Sequence, residues 1–354
     1  MKTFSCEDVY FFTKGVIIMD YRKLGNTGLD VSRLCLGTMG FGRPSSGMFP
    51  WAVNYEQSEK VVKEALNLGI NFFDTANIYS HGDSEEYLGK ALKQNADRDE
   101  VVVATKVFFS PSDKPNQAGL SRKAIMSQID QSLKRLDMDY VDLYIIHRWD
   151  YNTPIAETME ALHDVVKAGK ARYIGASAMY SWQFEKAQAI AKAHNWTPFV
   201  SMQNHLNLLY REEEREMMPL CEDQNIAVTP YSPLASGHLT RPTWNAETKR
   251  SQTDKVAVSK YDQAQKNDME IVQRVAEIAP KYDATMAQVA LAWLLQKKQV
   301  VAPIIGATKP DHLASSVAAL KLHLAPADIA YLEEPYQPHA LVGAFTKKNT
   351  DFTR

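Results

Sequence analysis

Asp74-Thr75-Ala76-Asn77-Ile78-Tyr79 follows a short, mostly apolar run at 70–73 and sets a tyrosine five positions beyond an aspartate. Two later apolar runs end in the same manner. The run at 101–105 delivers Lys106, and the run at 141–146 delivers His147. Three β-like segments thus each finish on an ionisable side chain. A parallel barrel gathers such strand ends at one mouth, where catalytic groups are usually built. Aspartate, lysine, tyrosine and histidine together form a set for moving a proton to or from a carbonyl oxygen.

Working outward, residues 21–24, the turn Gly25-Asn26-Thr27-Gly28 and residues 29–33 predict a β-hairpin, with a short strand continuing at 34–37. Helices and strands then alternate. Helices are expected at 58–68, 84–93 with Ser84 as N-cap, 121–136, 155–167, 181–194 and 212–224. Strands are expected at 71–74, 101–106, 141–147, 173–177, 199–204 and 226–231. Residues 233–266 break the rhythm with two prolines, a glycine and a polar run, and predict a structureless lid or a disordered connection. Helices at 268–282 and 285–298, a last strand at 300–305, and helices at 310–320 and 326–334 complete the pattern. Eight strands with crossover helices can close as a barrel or stay open as a doubly wound sheet. The barrel is favoured, because no strand is followed by G-x-G-x-x-G opening a helix. The fold class is therefore α/β, a (β/α)8 TIM barrel with an N-terminal β-hairpin and extra C-terminal helices. Residues 1–18 are expected as a flexible arm, 19–338 as the barrel and 339–354 as a tail.

The chain has 354 residues, 45% hydrophobic and 23% charged, enough apolar content for a large core. A net charge of −2 gives no global field for nucleic acid or an anionic membrane. No apolar stretch reaches the roughly 18–20 residues needed to span a bilayer. Three cysteines, Cys6, Cys35 and Cys221, form no CxxC pair, which fits a reducing cytoplasm with Cys35 as a small buried hydrophobe. No metal site is expected, since no histidine and carboxylate cluster stands at ligand spacing.

A tyrosine can protonate a carbonyl oxygen as hydride arrives at the carbon. Its free pKa near 10 is poorly matched to neutral pH, and a nearby ammonium, Lys106, is expected to lower it. Asp74 can pair that lysine inside a barrel mouth, and His147 can orient the carbonyl by a hydrogen bond. Such assistance is typically worth about 10²–10⁴ in rate. The hydride must come from a cofactor. Taken singly, each group has a plainer reading: Asp74 a turn former, Lys106 a solvated lysine, His147 a core histidine, Tyr79 packing. Their shared placement at consecutive strand ends argues for chemistry.

Leu36-Gly-Thr-Met39, Asn71-Phe-Phe-Asp-Thr-Ala-Asn-Ile-Tyr79, Ser84-Glu-Glu-Tyr-Leu-Gly89 and Asp139-Tyr-Val-Asp-Leu-Tyr-Ile-Ile-His147 resemble the aldo-keto reductase superfamily. The branch most resembled holds bacterial oxidoreductases and the β subunits of voltage-gated potassium channels. The resemblance implies a (β/α)8 enzyme that reduces aldehydes and ketones with NADPH. Tyr79 would then be the general acid, tuned by Lys106 and Asp74, with His147 positioning the carbonyl. It also implies a cofactor set. Ser177 and Gln203 would hold the nicotinamide carboxamide, and Tyr231 would stack on the ring. Ser232, Leu234, Gly237 and Leu239 would cover the pyrophosphate. Gly37, Thr38, Met39, Gly306, Thr308, Lys309, His312 and Ser316 would complete the set, with Lys309 as a point charge for the 2′-phosphate.

Two departures stand out. Family members commonly carry asparagine where this chain has Ala178, a loss of about 0.5–1.5 kcal/mol if nothing replaces the amide. His312 and Ser315-Ser316 stand where glutamine and Glu-Asn are common, so weaker or rearranged adenine contacts are expected. Trp51, Phe108 and Trp149 are candidates for an apolar substrate wall. Arg148 could recognise an anionic substrate, though a surface salt bridge is its plainer reading. The expected partner is a small-molecule carbonyl substrate, without nucleic acid or membrane; a homo-oligomer is left open. The alternative to an enzyme is an NADP(H)-binding regulatory module with slow turnover that docks to a partner protein.

Overall fold

The computed structural model describes residues 19–342, apart from 47, 111, 113, 246 and 247. The arm expected at 1–18 lies outside these residues, as does most of the expected tail. Strands β1 (Tyr21–Lys23) and β2 (Asp30–Ser32) pair antiparallel as the expected hairpin. Eight parallel strands follow: β3 (Cys35–Gly37), β4 (Phe72–Asp74), β5 (Val102–Val107), β6 (Val141–Ile146), β7 (Ala171–Ser177), β8 (Phe199–Gln203), β9 (Ala227–Val228) and β10 (Ile304–Gly306). Their spatial order is β10-β3-β4-β5-β6-β7-β8-β9. The ring closes through backbone bonds from Val301 N to Val228 O at 2.9 Å and from Ile304 N to Pro230 O at 2.8 Å. The molecule is a (β/α)8 barrel.

Helices α1 (Tyr55–Asn67), α2 (Asp83–Asn95), α3 (Arg122–Leu136), α4 (Ile155–Lys167), α5 (Ser181–His194) and α6 (Met217–Asp223) alternate with the strands. Then come α7 (Lys249–Thr253), α8 (Lys255–Tyr261), α9 (Gln265–Lys281), α10 (Met286–Leu295), α11 (Pro310–Ala318) and α12 (Pro326–Glu333). Helix α3 opens as the sequence predicts, its Ser121 hydroxyl accepting from Ala124 N.

Strand side chains alternate between two cores because the pleat repeats every two residues. Phe73, Val103, Val107, Tyr144 and Ile146 face the helices. Phe72, Val102, Ala104, Leu143 and Ile145 face the lumen, where Leu24 and Val31 of the hairpin join them. The same parity turns Asp74, Lys106 and His147 inward. Register then staggers them: Asp74 pairs with Ala104, two residues short of Lys106, and Lys106 pairs with Ile145, two short of His147.

Several expectations are corrected. Ser84 is not a cap; Gly82 occupies that position and Ser84 lies buried inside α2. The helix expected at 212–224 splits into a 3-10 turn at Glu212–Glu214 and α6, because Pro219 is tolerated only near a helix start. The strands expected at 226–231 and 300–305 shrink to two and three residues, since Pro230 and Pro303 offer no ladder donor. The connection 233–266 is not structureless; it holds α7, α8 and two 3-10 segments. Packing also runs past 338: His339 Nε2 meets Asp268 Oδ1 at 3.0 Å, and its backbone N–H donates to Glu212 Oε1 at 2.8 Å.

Candidate active site

Four side chains, from β4, β5, the turn after β4 and the residue following β6, converge at the C-terminal mouth of the barrel. Lys106, fully buried, donates from Nζ to Asp74 Oδ2 at 2.5 Å, to Thr75 O at 2.8 Å and to Tyr79 Oη at 3.4 Å. Gln203 Nε2 donates to the other Asp74 oxygen at 2.8 Å, so both carboxylate oxygens are bound from two sides of the barrel. The Tyr79 and His147 rings meet edge to face, their centroids 5.9 Å apart.

The turn carrying Tyr79 is unusual backbone. Ser80, His81 and Gly82 all have left-handed φ, at 49°, 57° and 102°. A Cβ at Gly82 would also stand 2.7 Å from Arg135 Cδ, so glycine answers both demands. Hydroxyls brace the Asp74 end: Ser84 Oγ lies 2.8 Å from Thr38 Oγ1 and 2.9 Å from Thr75 Oγ1, and Thr38 Oγ1 donates to Asp74 O at 3.1 Å. Asn77 Nδ2 donates to Phe109 O at 2.7 Å and so holds the next loop.

Burial sets the charge states. It pushes the Tyr79 phenol above its ordinary value of 10.0; the Lys106 ammonium pulls down and Asp74 adds to the rise. The lysine does act in the expected direction, but desolvation outweighs it, so the expected net lowering is corrected to a net rise. Desolvation pulls Lys106 down, yet Asp74 first and Tyr79 second over-compensate and hold it raised, hence charged. His147 falls well below 6.5 through burial, helped by Arg148, Lys106 and Lys260. A neutral imidazole beside a protonated phenol can donate two hydrogen bonds to one oxygen, one from each ring.

The candidate cofactor residues line the same end of the sheet. Gly37 is the register partner of Asp74, and Ser177 of Gln203. Gly175 lies so near Ser201 that a Cβ would stand 2.4 Å from its Oγ, so only glycine fits there. Buried polar atoms without partners among the described residues include Ser177 Oγ, Tyr231 Oη and His147 Nδ1. Such orphans are costly unless a bound group completes them, which fits a molecule rich in amides and hydroxyls. Tyr231 stacks on His205 at 5.1 Å. Ser232, Ala235, Ser236 and Gly237 have φ between 48° and 101°, a backbone run suited to cradling an anion. Above the end of β10, a Cβ on Gly306 would meet nothing within 4 Å, and exposed Lys309 precedes the N-terminus of α11. Thr308 O accepts from Gln57 Nε2 at 3.1 Å. Met39 and Leu234 are half-buried, Thr38 and Leu239 wholly buried, and His312 exposed. Ser316 Oγ donates to His312 O at 2.9 Å. Ala178 takes a left-handed φ of 47°.

The aromatic wall differs from expectation. Phe108 and Trp149 sit in the outer core at 6% and 7% exposure. Phe109, not singled out by the sequence, packs edge-on to His147 at 5.1 Å. Strand parity from Lys106 would turn residue 108 inward, but β5 ends at Val107 and the parity ends with it. Trp51 connects to Tyr79 through Phe49, at 5.5 Å and 6.4 Å. Two cations were also missed: Arg250 over Trp51 at 4.3 Å and Lys260 over Tyr231 at 4.7 Å. Both come from 233–266, whose polar sequence carries no trace of where it folds back. Arg148 has no carboxylate partner among the described residues, so its expected salt bridge is absent there; its Nη1 donates to His147 O at 2.6 Å.

Residues 33–337 match the family model described as the aldo/keto reductase family. The chain is 43% identical over 342 residues to versiconal hemiacetal acetate reductase of Aspergillus parasiticus, covering 91% of this chain and 98% of that protein. It is 44% identical over 349 residues to an aldo-keto reductase of Fusarium vanettenii, covering 92% and 93%. A third relative, an aldo-keto reductase of Metarhizium robertsii, is 41% identical over 348 residues, covering 92% and 93%. The chain belongs to the aldo/keto reductase family.

Proposed function

We propose that this aldo/keto reductase converts an aldehyde or ketone to an alcohol with NADPH, the proton coming from Tyr79. The family supports carbonyl reduction as the reaction class. The proton donor is supported by one observation above the rest: a fully buried Lys106, bonded to Asp74, points its ammonium at Tyr79 Oη from 3.4 Å.

The phenol, held protonated by burial, can donate to the carbonyl oxygen in the ground state and give up its proton as negative charge develops there. The resulting phenolate meets the Lys106 ammonium, so the product state is stabilised where the charge arrives. Asp74 keeps that ammonium charged and aimed, and Gln203 keeps Asp74 from rotating. His147, neutral, orients the same oxygen without competing for the proton. Bound NADPH supplies the hydride, which no side chain carries. Ser177 and Gln203 would hold its carboxamide, Tyr231 its ring, the 232–239 segment its pyrophosphate, and Lys309 at the start of α11 its 2′-phosphate. Lys309 is the reason to favour NADPH over NADH.

A steady-state assay with NADPH and benzaldehyde tests this reading. Consumption of NADPH in the wild type, abolished in Tyr79→Phe with cofactor affinity retained, is the expected result. Tight NADPH binding with no turnover across a panel of aldehydes would instead make the chain a cofactor-binding regulatory module.

A further inference from the structure

We infer that Arg148 and Lys260 form an anion subsite beside the proton-transfer groups, so that the carbonyl substrate carries a carboxylate or a similar anionic group. The inference rests on the reductase reading above. Arg148 follows His147 directly at the end of β6. Its Nη1 is spent on a backbone carbonyl, while its Nε is buried without a partner. Lys260, near the end of α8, holds its ammonium over the Tyr231 ring. Among the described residues neither cation forms an ion pair with a carboxylate. The nearby acids are engaged elsewhere: Asp74 with Lys106 and Gln203, Asp254 with Arg250 and with Ala257 N.

Both cations stand at the C-terminal mouth: Arg148 follows His147 beyond β6, and Lys260 covers the ring of Tyr231, which follows β9. Arg148 depresses Lys260, and both depress His147, while Arg148 also acts on Tyr79 and Tyr231. Burial and this mutual repulsion bring Lys260 down to about 8. Each cation lacks a carboxylate partner, and an anion held at the mouth would supply one.

Position separates Arg148, though not Lys260, from the proposed phosphate turn. In the ring β10-β3-β4-β5-β6-β7-β8-β9, β6 stands four strands from β10. Arg148 therefore lies across the mouth from the 306–309 turn. Its neighbours there are aromatic: Phe109 lies 5.7 Å from its guanidinium, with Phe49 and Trp51 beyond Tyr79. An aryl aldehyde bearing a carboxylate matches that lining.

The experiment compares kcat/KM for 4-carboxybenzaldehyde and for benzaldehyde, with NADPH saturating. The wild type is expected to favour the carboxylate by about tenfold to hundredfold, the range of a charge-assisted contact. Arg148→Met and Lys260→Met should each collapse that ratio toward one, and Arg148→Lys should keep part of it. A wild-type ratio near one, or a ratio unmoved by the variants, overturns the subsite. So does an equal fall for both aldehydes with a raised Kd for NADPH, which would give the cations to the cofactor. If no aldehyde is turned over, the reductase reading has failed, and benzoate titrated against tryptophan fluorescence reads the subsite directly. Binding weakened in Arg148→Met supports it, and no binding sinks it.

Discussion

Thr105 and Lys106 are neighbours on β5, and each meets a buried carboxylate. Thr105 faces the helices, where its hydroxyl donates at 2.5 Å to Glu85, a residue with no exposed surface that is also bound by Arg135 Nε at 2.6 Å. Lys106 faces the lumen and meets Asp74 and Tyr79. The outer network is closed: none of its three members leaves a buried polar atom unpaired among the described residues. The inner one borders Ser177 Oγ, Tyr231 Oη and His147 Nδ1, all unpaired. Buried charge therefore marks both a structural joint and a candidate site. What separates them is spare hydrogen-bonding capacity.

The comparison breaks most visibly at the phenol. Tyr79→Phe should lower kcat by about 10²–10⁴, the usual worth of a general acid, with the urea midpoint barely moved. The outer network should behave in reverse. Glu85→Ala leaves Arg135 and Thr105 without their partner and should cost about 3–5 kcal/mol in urea unfolding, with kcat per folded molecule near wild type. If Glu85→Ala instead halts turnover without unfolding, the two sides of β5 are not independent.

Lys106→Met sharpens the contrast because it touches both properties. It strands Asp74 and should destabilise, and joining it to Asp74→Asn should recover much of that stability while activity stays lost. Its residual rate also carries a sign. Reduction needs the protonated phenol, so the wild-type rate should hold through neutral pH and fall only above the tyrosine's ordinary range, since burial has raised that group. Removing the ammonium removes both its charge and its hydrogen bond, each of which pulls the phenol down, so the alkaline limb should move to still higher pH. An unchanged limb would disconnect Lys106 from Tyr79. A smaller effect concerns His147, which lies well below 6.5 and should add no inflection to kcat/KM between about pH 6 and 7. The least change is expected at Ala178, whose left-handed φ favours glycine; Ala178→Gly should gain up to about 1 kcal/mol, read as a higher Tm.

Legibility in the sequence followed chemistry that repeats. Period-two alternation places Asp74, Lys106 and His147 on one face, and serine and proline mark the starts of α3 and α12, so these elements could be read directly. Ser84 misled because an N-cap and a buried hydroxyl joining Thr38 to Thr75 look identical in one dimension. The two shortened strands escaped because a proline near a strand end removes a donor without interrupting the apolar run. Lys260 and Arg250 were invisible, since nothing in a polar stretch says which ring it will cover.

The sequence by itself determined that Asp74, Lys106, Tyr79 and His147 meet at one mouth: their order along the chain and the pleat's parity leave little freedom once the strands are parallel. Only the tertiary structure decided the balance among them. Whether the phenol moves up or down depends on competing desolvation and Coulomb terms, and those depend on how deeply the packed barrel buries each group. The unpaired cations at the mouth are a tertiary fact for the same reason, because a charge is unpaired only with respect to what folds beside it.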